Sequence, residues 1–133
     1  MGLLGRFRRK GKKKAVEETA KVITELEQLC GEDKEIYEAL VNTMFLDPRK
    51  IGTSIKDAVE SAKKFEKSKD FTQARLWYEI AGGLAIYEGD VKKVVEFFSE
   101  CEKYSANKKY LILKNPEKAV AKAQEYYAKY LKD

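Results

Sequence analysis

From Ala15 onward, apolar residues return every three or four positions, the period of a helix with one side turned inward. Val16, Ala20, Ile23, Leu26 and Cys30 make the first such stripe and predict a helix from Ala15 to Cys30, which Gly31 closes with a left-handed cap. A second helix is expected from about Asp33 to Phe45, with Ile36, Tyr37, Leu40, Val41 and Met44 inside and Asp47 and Pro48 as its stop. Ser54 and Asp57 form an N-terminal box for a third, which should bury Ile55, Ala58, Val59, Ala62 and Phe65. Asp70, answered by Gln73, opens a fourth that carries Ala74, Trp77, Tyr78, Ile80, Ala81, Leu84 and Ala85, with Tyr87 near its end. This is the most apolar helix of the set and the expected centre of the fold. Gly82 and Gly83 inside it each cost about 1 kcal/mol relative to Ala, which points to close approach of another helix backbone.

Gly89 and Asp90 make a tight stop and restart. The fifth helix should bury Val91, Val94, Val95, Phe98 and Cys101 and end near Ser105, Ala106 and Asn107. Tyr110 to Leu113 has strand propensity but no second strand to pair with, so a helical turn or buried connector is expected there. Asn115 as cap, Pro116 in the first turn and Glu117 beside it start the last helix, which runs into Tyr126, Tyr127, Tyr130 and Leu131. The fold class that follows is all-α: a compact bundle of about six antiparallel helices.

Within it, Ala62, Phe65, Asp70, Phe71, Ala74, Tyr78 and Ala81 are matched 20 residues on by Gly82, Ala85, Asp90, Val91, Val94, Phe98 and Cys101. Each set has a tight turn between two helices, a small residue where helices must touch, and an aromatic on the following helix. This pattern resembles the helical hairpin of tetratricopeptide repeats and is similar to the three-helix domains of microtubule-interacting and transport proteins, over Ser54 to about Tyr104. The offset is 20 where tandem tetratricopeptide units recur every 34, so packed hairpins in a compact bundle are expected in place of a superhelical array. The resemblance implies a peptide or partner protein lying on the first helix of a hairpin. On the third helix that would expose Lys56, Lys63 and Lys67, against the plainer reading of a solvated lysine face.

Composition sharpens this picture in three places. One domain is expected over residues 15–133, since 133 residues support a single continuous core. Charged residues make up 37% of the chain, mostly Lys and Glu, and His is absent; this is the composition of a heat-adapted, archaeal-type protein. The net charge of +5 is local: Arg6, Arg8, Arg9, Lys10, Lys12, Lys13 and Lys14 lie in an arm of residues 1–14 without an acid, and the other 20 basic residues face 22 acidic ones.

That arm is the one concentrated signal. Leu3, Leu4 and Phe7 share a side if Gly2 to Arg9 becomes helical, the pattern of an interfacial anchor on anionic lipid. The same charges suit the phosphates of nucleic acid, and a solubilising tail is the third reading. Arg6 stands where a myristoylation signal needs Ser or Thr. No secretory leader and no membrane span is legible, so a cytoplasmic protein, peripheral to a membrane if the arm docks there, is expected.

Catalytic chemistry is not legible. Without histidine the usual general base near neutral pH is missing, and there is no glycine-rich phosphate loop, nucleophile elbow or paired-cysteine motif. Glu17 with Glu18, or Glu100 with Glu102, do not face each other on a helix and read as solvated surface. Cys30 and Cys101 fall on apolar stripes without metal-ligand spacing, so buried free thiols are expected, with a disulfide as the alternative, and neither metal nor cofactor. Tyr126, Tyr127 and Tyr130 cannot all point inward, and one is expected at a partner contact or homodimer seam. The function these observations favour is a non-enzymatic adaptor or scaffold module for a partner protein, its arm on an anionic surface. The alternative is a small nucleic-acid-associated protein that holds phosphates with the arm and nearby lysines.

Overall fold

Helix starts in this chain are set by single side chains. Asp33, Ser54, Asp70 and Asp90 each accept a hydrogen bond from the backbone N–H three residues on, at 3.2, 3.1, 3.2 and 3.1 Å. Each fills one of the donors that a helix leaves unpaired at its first turn. The computed structural model describes residues 23–43, 48–106 and 108–131. Over them run six helices: α1 (described over residues 23–30), α2 (Lys34–Val41), α3 (Ile55–Lys67), α4 (Phe71–Glu88), α5 (Val91–Lys103) and α6 (Pro116–Tyr130). Short 3-10 turns at Pro48–Lys50 and Leu111–Lys114 complete the set, and no strand occurs among the described residues. The protein is an all-α bundle. The basic arm and the start of the first predicted helix lie outside the described residues.

Two corners fix the middle of the fold. After α3 the N–H of Asp70 reaches back to the carbonyl of Phe65 and that of Lys69 to Glu66; after α4 the N–H of Asp90 reaches Ala85 and that of Gly89 reaches Ile86. These paired bonds close a helix end, and both need a residue with positive φ, here Lys69 at 62° and Gly89 at 76°. Each Asp then caps the next helix, so chain direction reverses within a few residues. As a result α4 lies between antiparallel neighbours α3 and α5.

One apolar cluster spans all six helices, with Leu26, Leu40, Ile86, Val94, Phe98 and Ile112 fully buried in it. α6 packs across α2, α4 and α5. Its Tyr126 hydroxyl donates to Glu25 on α1 at 2.8 Å, and Gln124 donates to the carbonyls of Ile86 and Tyr87 at 2.7 and 2.9 Å, closing the end of α4. Cys30 and Cys101 are both free and buried. Burial raises the pKa of each thiol, that of Cys101 to about 12, which makes them inert fillers of the core.

Four details differ from the sequence reading. α2 ends at Val41 and gives way to a turn at Asn42 and Thr43, whose amide and hydroxyl take the carbonyls of Glu38 and Ala39, while Met44, Phe45 and Asp47 lie outside the described residues. Val95 is 37% exposed and Phe97 takes the inward position, the larger ring filling more of the core. Asn115 precedes α6 without a side-chain cap bond. Gly82 is packed against an aromatic ring and not a helix backbone: a Cβ there would lie 2.6 Å from Cε2 and Cζ of Phe98. The Tyr110–Leu113 connector is as expected, with Tyr110 and Ile112 buried.

Candidate functional site

A helix flanked on two sides by others usually keeps a polar outer stripe. α4 does not. Leu76, Ile80, Gly83 and Tyr87, at steps of three and four, form a second apolar line along α4, where Leu76 is 45% and Tyr87 39% exposed. The turn Pro48–Lys50 and α6 cover this line only in part. Between them opens a cavity of about 70 Å³, with Ile80, Phe98 and Tyr110 among its walls and Leu76, Thr43 and Ile51 around it. Gly83 supplies free space in the same place: a Cβ on it would meet only the Thr43 carbonyl oxygen, at 4.0 Å. An apolar side chain of leucine or methionine size suits such a recess.

The one carboxylate on the lining is Glu79. It accepts the buried Tyr110 hydroxyl and stands 3.8 Å from Lys108 and 4.0 Å from Arg75. Burial, then this bond, pushes the Tyr110 phenol far up, so it stays a neutral donor. Glu79 therefore serves as a cross-brace between α4 and the chain after α5, and the recess beside it is apolar.

A second carboxylate ties α3 to α4 and to the end of α5. Glu66 accepts the hydroxyls of both Tyr78, at 2.5 Å, and Tyr104. Burial raises its pKa, but the bonds from Tyr104 and Tyr78, with Lys103 and Lys63 nearby, outweigh this and hold it below the usual range. Around it the rings stand in series: Phe71 on Tyr104 at 5.1 Å and 9°, Tyr104 on Tyr78 at 6.5 Å and 15°, Tyr78 on Phe97 at 6.4 Å and 27°. Tyr78 and Phe97 are 5% exposed and Phe71 is 45% exposed, so the stack runs from core to surface.

The residues singled out from the sequence fall as follows. Lys56, Lys63 and Lys67 are exposed on α3 and lie on the side opposite its buried Ala58 and Ala62. Arg6, Arg8, Arg9, Lys10, Lys12, Lys13 and Lys14 lie outside the described residues. The tyrosine cluster requires a correction for Tyr126, which is 3% exposed with its hydroxyl committed to Glu25, because that bond and the core compete better for it than solvent does. Tyr127 meets Tyr87 edge-on at 5.0 Å and Tyr130 leans on Tyr126 at 4.9 Å, both half-buried. Glu100 pairs with Lys103, whereas Glu102 accepts the Tyr110 N–H, so the two act separately.

Leu76, Phe71 and Glu66 are the residues that pattern reading missed. Leu76 was findable as the start of a second stripe at helical spacing. The partners of Glu66 lie 12 and 38 residues away, a distance no local pattern carries. Among the described residues no group of three or more His, Cys, Asp or Glu is placed to hold a metal ion, and no helix is long and apolar enough to cross a membrane. The class defined by fold and site is thus an antiparallel α-helical bundle with an open apolar recess on its central helix. No protein-family model matches the chain, and no match is found among curated proteins or solved structures.

Proposed function

We propose that this chain is a non-enzymatic interaction module, of the helical-hairpin kind that tetratricopeptide and microtubule-interacting domains represent, which docks a partner protein while the arm of residues 1–14 contacts an anionic surface. The observation that carries the reading is the apolar outer line of α4 leading into the recess beside Leu76. A central helix that is apolar on the side its neighbours leave open is suited to an amphipathic segment with one aliphatic anchor. The seven positive charges of the arm support the second contact, which acts at longer range and weakens with salt.

The test separates the two contacts. Full-length bait, bait lacking residues 1–14, and the variants Leu76→Lys and Gly83→Leu are used to capture partners from native lysate, and the recovered protein is purified and titrated against isotope-labelled full-length chain. The expected result is a partner held equally with and without the arm, lost in both variants, and shifting amides of residues 76–87. A partner that survives Leu76→Lys, or one that needs only the arm and falls off with salt, overturns the assignment. The latter result is what a nucleic-acid-associated protein would give.

A further inference from the structure

A different surface has the chemistry of an anion site with a flat, aromatic platform. The ring series that starts in the core at Phe97 ends at Phe71, whose 45% exposure leaves the stack open to one more ring. Cations surround that end. Lys63 and Lys103 lie close enough to Glu66 to lower its pKa, Lys103 Nζ stands 5.6 Å from the Tyr104 ring centre, and Lys67 at the end of α3 and Lys69 in the turn that leads to Phe71 are exposed. The neighbouring carboxylates are already engaged: Asp70 caps α4, Glu66 holds two phenols and Glu100 is 3.8 Å from Lys103. Along α3, Lys67 and Lys63 continue the charge for one turn, and the exposed Glu60 on the same face ends it before Lys56.

Lys69 supplies an independent observation. Its φ of 62° is a conformation that costs a side-chain-bearing residue about 1 kcal/mol, and the equivalent place in the next corner holds Gly89. No ion pair or hydrogen bond within the described chain uses its ammonium group. The closing bonds of the corner require this φ, and the exposed lysine that occupies it adds a cation beside the open ring.

We propose that this corner binds single-stranded nucleic acid, with a base stacked on Phe71 and the phosphates following Lys69, Lys67 and Lys63. Stacking on an exposed ring beside a cationic track is how strands are held without sequence preference. The near-parallel ring series favours a base over a lipid chain, because a planar π-face continues it and an acyl chain does not. This site lies apart from the recess on α4 and does not depend on it.

The experiment uses the full-length chain and fluorescence anisotropy with a short labelled oligothymidylate, a duplex of equal length, and vesicles of phosphatidylserine and phosphatidylcholine. Phe71→Ala should weaken oligothymidylate binding at least about fivefold, as loss of one stacked base does, and Phe71→Trp should retain it. Lys69→Gly should also weaken binding and reduce the slope of log K against log salt by about 0.7, while its thermal midpoint stays level or rises. That variant removes strain, so weaker binding by it cannot be ascribed to unfolding. Leu76→Lys should bind the strand like wild type, which keeps this test separate from that of the partner site. The proposal is overturned if Phe71→Ala and Lys69→Gly leave affinity unchanged, if duplex binds as well as single strand, or if only the vesicles show dependence on Phe71.

Discussion

The hairpin of α3 and α4 and that of α4 and α5 share a corner and differ in what it holds. Both close with the same pair of backbone bonds and the same capping Asp, at Asp70 and Asp90. The second corner uses Gly89, the residue for which positive φ is nearly free, and beneath it Gly82 admits the fully buried Phe98 ring. The first uses Lys69 and leads to the half-exposed Phe71 and the Glu66 clamp. The second hairpin is shaped for packing, whereas the first keeps strain, charge and an open ring at the surface. Repetition in the sequence gives the common geometry, and the departures from it fall where the second proposed site lies.

The sharpest break of that comparison lies at the tight contact. Phe98→Ala should lower unfolding free energy in urea by about 3–5 kcal/mol, the usual cost of removing a buried phenyl. Gly82→Ala should cost about 1–2 kcal/mol, since the new methyl must displace the ring by several tenths of an ångström and gains only the helix propensity of Ala in return. If Gly82→Ala stabilises the protein, the close approach of Phe98 is wrong.

Exchanging the corner residues should give opposite signs. Gly89→Ala is expected to destabilise by about 1 kcal/mol, and Lys69→Gly to be neutral or to stabilise by somewhat less than about 1 kcal/mol, read from thermal midpoints. Next to Gly82, Gly83→Ala should stabilise by about 0.5–1 kcal/mol, because its Cβ enters open space. Equal effects at Gly82 and Gly83 would remove the distinction between the packed and the open side of α4.

The smallest effect has the clearest sign. Glu66 has a folded pKa below its ordinary 4.5, so its contribution is complete above that value and is lost as pH falls through the lowered one. Tyr104 is pushed up to about 12, first by its bond to Glu66 and then by burial, so its share is complete below about 10 and is lost as pH rises through about 12. Urea midpoints measured across both limbs should show shallower pH dependence in Glu66→Gln than in wild type.

Much of the fold was legible because caps and periodicity act within one turn of chain. Asp33, Ser54, Asp70 and Asp90 announce helices that begin where they stand, and Gly31 and Gly89 announce ends. The sites were less legible. Lys56, Lys63 and Lys67 are legible as a face at helical spacing, whereas Phe71 shows in the sequence only as one position of a repeat and Leu76 only as part of a second, weaker stripe. Which of Tyr126, Tyr127 and Tyr130 turns inward was not legible, because the burial of Tyr126 depends on Glu25, 101 residues away.

By itself, then, the sequence determined which segments are helices, where they turn, and that the surface is a field of charge with a cationic arm. These follow from interactions between residues a few positions apart, whose geometry the helix supplies. Only the tertiary structure decided that Gly82 faces a ring and Gly83 a void, that α4 keeps an apolar side uncovered, and that four rings and a carboxylate meet at one corner. Those outcomes depend on how separate helices settle against one another, where a difference of one methyl group in packing chooses the neighbour and no local pattern records the choice.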